Sequence, residues 1–143
     1  MAMETAYRSL WRAAWPLVRW YVRRKDQRRL VDAAALEERC GVACVPASWE
    51  KTGADRPWTL WIHGASVGEC LSALPVVDLV LARPPVLPIA RRTRVVMTTT
   101  TAAARKLLRR RLEDRGVDAA VCVFAPLDAP SSVARFYDTW RPE

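Results

Sequence analysis

The chain has 143 residues and a mass of 16.2 kDa. This is the usual size of one domain, so we expect an enzyme that needs two large lobes to be present here only in part. Apolar residues make up 51% of the chain and charged residues 27%, a composition that excludes a fully disordered protein. The net charge of +8 favours nucleic acid, acidic lipid or a phosphorylated substrate as partner and does not choose among them.

Most of the net positive charge lies in the first thirty residues, which hold eight Lys or Arg and two acidic residues. Residues 7–25 have helical spacing, with a row of arginines beside one apolar stripe. That stripe consists of Trp11, Trp15, Val18 and Val22. Because arginines interrupt the apolar run, we expect this amphipathic helix to lie on a membrane rather than cross it. A surface helix packed on its own domain and an organellar targeting segment are the alternatives.

The middle of the chain predicts a charged helix from Asp26 to Cys40 that stops at Gly41. Residues 46–57 contain two prolines and a glycine and read as a linker. We therefore divide the chain into an N-terminal membrane-proximal or targeting segment at 1–45, the linker at 46–57, and a partial lobe at 58–143.

Short apolar runs alternate with helical patterns after the linker. The predicted strands are residues 58–63, 94–99 and 119–125, and the helices that follow them are residues 69–81, 101–115 and 130–140. Strands that alternate with helices indicate the α/β class with a Rossmann-like parallel sheet. The chain ends where a fourth strand would be due, so the lobe is expected to be incomplete.

Neither a metal nor a nucleic acid is an expected ligand. The four cysteines and the single histidine fit no paired metal-ligand spacing, and their number favours reduced thiols. The basic helix predicted at 101–115 lacks interleaved aromatic residues and matches no nucleic-acid-binding module. It is expected to be a solvated face, with anionic lipid or acceptor phosphates as the alternative contact.

The segment 63–69 directly follows the first predicted strand, where open parallel sheets bind their ligands. Gly64 and Gly68 allow a close backbone approach, and Ser66 leaves room for a ligand. Glu69 falls near the start of a helix, where the helix dipole favours its ionised form. From the residues alone, a stabilising charge and a proton acceptor both remain open for this carboxylate.

The order of the residues in this segment is more informative than its composition. Trp-Ile-His-Gly-Ala-Ser-Val-Gly-Glu, at residues 61–69, closely resembles the signature of the Kdo transferases. These enzymes move 3-deoxy-D-manno-octulosonic acid (Kdo) from CMP-Kdo to a lipid A precursor in lipopolysaccharide biosynthesis. The threonine-rich stretch at 95–101 and the segment at 124–142 resemble the family in order and spacing, so the resemblance covers roughly residues 36–143.

The resemblance implies an inverting, metal-independent glycosyltransferase of the two-lobed GT-B type, with no cofactor. Its N-terminal lobe handles the acceptor and its C-terminal lobe the nucleotide sugar. The implied catalytic base is Glu69, and the implied acceptor-binding residues are Ser66, Gly68, Thr98, Thr99 and Thr100. For the threonines, helix capping and strand packing are an equal alternative.

Only the acceptor-side lobe resembles this chain, so we expect the polypeptide to be inactive toward CMP-Kdo by itself, as a fragment or as half of a split enzyme. The implied partners are CMP-Kdo, a lipid A precursor and a membrane surface. The implied location is the cytoplasmic face of the inner membrane if the chain is bacterial, or mitochondrial if it is eukaryotic. A noncatalytic membrane-surface module is the alternative function.

Overall fold

The computed structural model describes residues 2–28, 32–42, 45–49, 56–82 and 92–143. Five helices and three strands lie within these ranges, together with a 3-10 turn at Ala47–Trp49. In chain order they are α1 (Ala2–Arg28), α2 (Ala34–Arg39), β1 (Trp58–Gly64), α3 (Val67–Ala82), β2 (Thr93–Thr99), α4 (Ala102–Glu113), β3 (Ala120–Phe124) and α5 (Pro130–Trp140). The predicted fold class, an α/β lobe with a parallel sheet preceded by an N-terminal helix, is confirmed.

The described strands form one parallel sheet in the order β1-β2-β3. The central strand β2 is buried along almost its whole length, as expected for a parallel strand covered on both faces. Its register pairs His63 with Thr98 and Gly64 with Thr99 on one side, and Thr99 with Phe124 on the other. The carboxyl ends of all three strands therefore meet at one edge of the sheet.

Each face of the sheet has its own apolar core, because side chains alternate along β2. Val95 and Met97 point into a core shared with α3 and α4. Val96 points to the opposite face, where it packs among aromatic residues of the 3-10 turn and α5. The aromatic members of that second core are Trp49, Trp61, Phe136 and Trp140.

The stop of α2 at Gly41 is confirmed. The Gly41 N–H donates to the Glu38 carbonyl (2.9 Å) and the Val42 N–H to the Glu37 carbonyl (2.8 Å), which is a Schellman motif. The charged helix predicted from Asp26 to Cys40 is described in part, as the end of α1 and as α2, since residues 29–31 lie outside the described residues.

The predicted linker at 46–57 includes the 3-10 turn, and its residues 50–55 lie outside the described residues. Within the turn, Trp49 is buried and its indole N–H donates to the Val117 carbonyl (2.9 Å). The Trp49 ring also stacks under the guanidinium of Arg94 (4.4 Å). The turn is thus packed against the lobe.

The cysteines that the structure describes are Cys40, Cys70 and Cys122, all free and buried; Cys44 lies outside the described residues. Burial raises the pKa of the Cys122 thiol to about 12. This thiol stays protonated at neutral pH and behaves as a small apolar side chain.

Helix α1 has a half-buried face and an exposed apolar face. The predicted stripe is the half-buried one: Trp11, Trp15, Val18 and Val22. The exposed large apolar side chains are Met3, Tyr7, Leu10, Leu17, Trp20 and Tyr21. Among the described residues, no helix combines the length and the apolar character needed to span a bilayer.

Two polar contacts fix α1 beside the carboxyl edge of the sheet. The Tyr7 hydroxyl donates to the carbonyl of Asp128, which follows β3 (3.0 Å). Near the other end of α1, Asp26 accepts from Arg39 (3.0 Å), whose guanidinium also donates to the Thr100 carbonyl after β2 (3.2 Å). The helix therefore lies close to the edge where ligands of parallel sheets bind.

Candidate active site

Glu69 lies in the first turn of α3, three residues beyond the loop that leaves β1. Its carboxylate accepts two hydrogen bonds from that loop: Ala65 N–H donates to Oε2 (3.0 Å) and the Ser66 hydroxyl donates to Oε1 (3.0 Å). The Glu69 N–H donates in return to Ser66 Oγ (3.2 Å). This arrangement is a variant of the capping box, with Ser66 as the N-cap residue and Glu69 three residues later. The carboxylate accepts from the N–H of Ala65 instead of from that of the N-cap residue.

The electrostatics of the loop keep Glu69 ionised. The Ala65 N–H, followed by the Ser66 hydroxyl, holds the pKa of Glu69 below its usual value, and the nearby His63 acts in the same direction. The side chain is exposed to solvent. A carboxylate that is charged at neutral pH and open to solvent can accept a proton from a hydroxyl placed beside it.

The strand end and the helix start pack closely behind this carboxylate. A Cβ added to Gly64 would come within 2.8 Å of Cys70 Sγ and 3.1 Å of its backbone nitrogen. Gly64 therefore lets α3 begin directly against β1, with the Cys70 thiol donating to the Gly64 carbonyl (3.3 Å). Gly68 is different, because its Cβ position has no described atom within 4 Å.

The four threonines at 98–101 occupy three kinds of position around the end of β2. Thr98 and Thr99 are fully buried within the strand. Thr100 is exposed and its hydroxyl donates to the Ala65 carbonyl (2.9 Å), next to the Glu69 loop. Thr101 caps α4 by accepting from Ala104 N–H (3.3 Å).

The structure thus brings Glu69, Ser66, Gly68 and Thr100 together at one exposed edge, while Thr98 reaches that edge only through the side chain of His63 (3.0 Å). The Thr99 hydroxyl has no hydrogen-bond partner among the described residues. An acceptor-binding role for any of these residues stays a prediction.

Sequence reasoning missed two features of this edge. The capping box was readable in Ser66-Val67-Gly68-Glu69, because Ser followed three residues later by Glu is its signature. The position of Arg39 was not readable: its guanidinium lies over the Phe124 ring (3.7 Å), a contact between residues 85 positions apart that no local pattern indicates. In the described part of the chain, no three His, Cys, Asp or Glu side chains are grouped as a metal site.

A parallel sheet with a carboxylate at its carboxyl edge is typical of the Rossmann-like lobes of α/β enzymes. Residues 34–143 match the family model described as 3-deoxy-D-manno-octulosonic-acid transferase (kdotransferase). The match covers well over half of the chain, so the chain belongs to the Kdo transferase family, whose members are glycosyltransferases. Comparisons with curated proteins and with solved structures found no match.

Proposed function

We propose that this chain forms the acceptor-side lobe of an inverting, metal-independent GT-B glycosyltransferase that transfers Kdo from CMP-Kdo to a lipid A precursor. The family match over residues 34–143 supports the reaction class. The observation that carries the site assignment is the ionised, exposed carboxylate of Glu69 at the carboxyl edge of the sheet. The donor would bind to a second lobe facing this edge.

In the proposed step, the Glu69 carboxylate takes the proton of an acceptor sugar hydroxyl while that oxygen attacks the anomeric carbon of Kdo. The bond from this carbon to the phosphate oxygen of CMP breaks, and CMP leaves with the electron pair, so the anomeric configuration inverts. Ser66 would keep the carboxylate in place through its 3.0 Å hydrogen bond. The open space at Gly68 and the exposed hydroxyl of Thr100 would admit the acceptor.

The sharpest test of this proposal replaces Glu69 by Gln in the chain joined to the C-terminal lobe of a Kdo transferase. Gln also serves in a capping box, so Glu69→Gln removes the charge and largely keeps the helix start. Kdo transfer should fall roughly a hundredfold to ten-thousandfold, while the melting temperature should fall only slightly, through the lost charge at the helix start. The chain without a second lobe should show no transfer. Full activity of the joined Glu69→Gln protein would eliminate Glu69 as the base.

We further propose that α1 attaches the lobe to a membrane surface, on the cytoplasmic face of the inner membrane in a bacterium or in a mitochondrion in a eukaryote. The exposed apolar face of α1 supports this, with Leu10 and Leu17 each 68% exposed. Three basic residues in the last two turns of α1 lie on or beside this face and would meet anionic headgroups: Arg24, Lys25 and Arg28. Attachment through this face would hold the carboxyl edge of the sheet near lipid-borne acceptors.

Sedimentation with vesicles of phosphatidylglycerol and phosphatidylcholine tests the attachment. Each leucine that enters lipid contributes on the order of 1 kcal/mol or more, so Leu10→Ser with Leu17→Ser should weaken binding at least about tenfold. Val117→Ser is the matched control, because Val117 is equally exposed (64%) but lies before β3, at the opposite edge of the sheet. Unaltered binding of the double variant would contradict attachment through this face. Vesicle binding by a joined protein without transferase activity would favour the noncatalytic module.

A further inference from the structure

His63 lies on β1 one residue before the strand ends, and hydrogen bonds that run through Thr98 to Trp61 hold its ring. Thr98 is its partner in the sheet register, and His63 Nδ1 lies 3.0 Å from Thr98 Oγ1. The same oxygen accepts from the indole N–H of Trp61 at 2.8 Å. Thr98 is fully buried, whereas His63 is exposed.

The hydrogen-bond donors around Thr98 decide which nitrogen of His63 carries the proton. An indole N–H can only donate, so Thr98 Oγ1 must accept from Trp61. The Thr98 hydroxyl proton is then free to point at His63 Nδ1. Were Nδ1 protonated, this buried hydroxyl proton would have no acceptor among the described residues, and an unpaired buried donor is unfavourable. The arrangement therefore favours the tautomer with the proton on Nε2.

The remaining nitrogen of His63 is left open at the carboxyl edge of the sheet, because Nε2 has no hydrogen-bond partner within the part of the chain that the structure describes. His63 lies two residues before Ala65, whose N–H donates to the Glu69 carboxylate (3.0 Å). The edge thus presents an N–H donor and a carboxylate acceptor close together. A sugar, whose neighbouring oxygens can both donate and accept, suits such a pair.

We propose that His63 is a positioning residue that donates its Nε2–H to an oxygen of the acceptor sugar and so places the reacting hydroxyl at Glu69. The inference rests on the proposed function, since it assumes that an acceptor sugar binds at this edge. The alternative is a purely structural role, in which His63 only satisfies the buried Thr98 hydroxyl.

Two substitutions separate these roles, because the amide of Asn can reach the position of Nδ1 and the longer amide of Gln the position of Nε2. His63→Asn keeps an acceptor for Thr98 and loses the outer donor, whereas His63→Gln keeps an outer donor. If His63 positions the acceptor, His63→Asn should weaken acceptor binding about tenfold and His63→Gln should weaken it less. If the role of His63 is only structural, His63→Gln should lower the melting temperature more than His63→Asn. Neither substitution should then weaken acceptor binding.

The test is a titration of this chain with a water-soluble glucosamine disaccharide bisphosphate, followed by NMR. The chain contains one histidine, so its imidazole signals need no assignment by mutation. We expect the His63 ring signals and the Ser66 and Glu69 amide signals to shift with one dissociation constant, and Nδ1 to resonate as an unprotonated nitrogen. Thr98→Val should weaken the binding and Thr98→Ser should preserve it.

The outcomes distinguish this inference from the function on which it rests. If the amides of Ser66 and Glu69 shift while the imidazole does not, and His63→Asn binds as tightly as the native chain, the role of His63 is overturned and the acceptor site stands. If no signal at the edge responds to the disaccharide, the acceptor site itself is overturned, and the role of His63 with it.

Discussion

Glu69 has a structural and a proposed chemical role that use the same two oxygens. As the acid of a capping box, it receives the Ala65 N–H and the Ser66 hydroxyl, and these bonds stabilise its ionised form. A carboxylate with a low pKa is always available as a base at neutral pH but binds a proton weakly.

Removing the Ser66 hydroxyl should therefore raise the pKa of Glu69. In Ser66→Ala the carboxylate loses one of its two donors, and its pKa should move up toward the ordinary value, as a pH titration of its carboxyl carbon signal would record. Ser72→Ala is the control, because the Ser72 hydroxyl donates to the Glu69 backbone carbonyl (2.9 Å) and not to the carboxylate. Equal titration curves for Ser66→Ala and the native chain would contradict this account.

The same shift gives a pH dependence of stability with a definite sign. The folded pKa of Glu69 lies below its unfolded value, so the unfolded chain binds the proton more readily. The stabilisation is present above the unfolded pKa and is lost as the pH falls through the folded pKa. Ser66→Ala should accordingly lose less stability than the native chain over that acidic range.

At this scale the sequence predicted that Glu69 lies near the start of a helix, but not the exposure of the neighbouring threonines. Thr98, Thr99 and Thr100 are chemically identical, and their exposure depends on where the ladder of β2 ends. The last bond of that ladder runs from Ala125 N–H to the Thr99 carbonyl (2.9 Å). That end is set by the pairing with β3, a long-range contact that a local pattern does not contain.

At the scale of helices and strands, the observed boundaries agree with the predicted ones where a single residue type determines the boundary. Helix α5 begins at Pro130 as predicted, because proline suits the first helical position. Helix α3 begins at Val67, two residues before the predicted start, because the Ser66 cap recruits the Glu69 N–H into the first turn. The sequence signal was present there, in the spacing of Ser66 and Glu69, but apolar periodicity alone does not register a polar first turn.

Gly41, which ends α2, is constrained by its backbone conformation and by its close approach to α5. A pair of substitutions separates the two constraints. Its φ is +80°, and a Cβ at this position would lie 2.1 Å from the Ser132 carbonyl oxygen. Gly116 has a similar φ of +77° with no described atom within 4 Å of its Cβ position. Gly116→Ala should cost about 1 kcal/mol of backbone strain, and Gly41→Ala should cost roughly 1–3 kcal/mol more because α5 must move.

Denaturant unfolding of both glycine variants provides the measurement. The difference between the two free energies of unfolding isolates the contact of α2 with α5. Equal losses in Gly41→Ala and Gly116→Ala would mean that the close approach to Ser132 is relieved without cost.

Across the whole molecule, a buried ion cluster joins α2 to the sheet and to α4. Glu38 is buried (4% exposed) and accepts from Arg105 through both of its oxygens (2.8 and 2.5 Å), from Arg109 (2.8 Å) and from the Phe124 N–H (2.7 Å). The guanidinium groups of Arg105 and Arg39 both lie over the Phe124 ring. This cluster fixes α2, and through Arg39 and Asp26 also α1, beside the edge that carries Glu69.

The cluster explains why the packing of the N-terminal helices against the lobe could not be predicted from the sequence. Asp32 and Glu38 look like ordinary surface charges of a helix, since their partners Arg105 and Arg109 lie about seventy positions away. The Arg105 guanidinium holds the pKa of Asp32 below its usual value, a shift that only the folded chain can produce. The sequence predicted a basic solvated face for α4, whereas Arg105 is buried in the structure.

Substituting Glu38 should consequently destabilise the molecule far more than substituting a surface acid. Glu38→Ala leaves Arg105 buried without its main partner and the Phe124 N–H without an acceptor, so the free energy of unfolding should fall by about 3–5 kcal/mol. Asp78→Ala breaks the exposed pair with Arg115 (2.6 Å) and should cost little, because solvent screens ion pairs at the surface. Because α1 depends on α2 for its place, Glu38→Ala should also increase hydrogen exchange at the Phe124 amide and loosen α1, while Asp78→Ala should do neither. A Glu38→Ala protein as stable as Asp78→Ala would show that the ion cluster does not hold the N-terminal helices to the site.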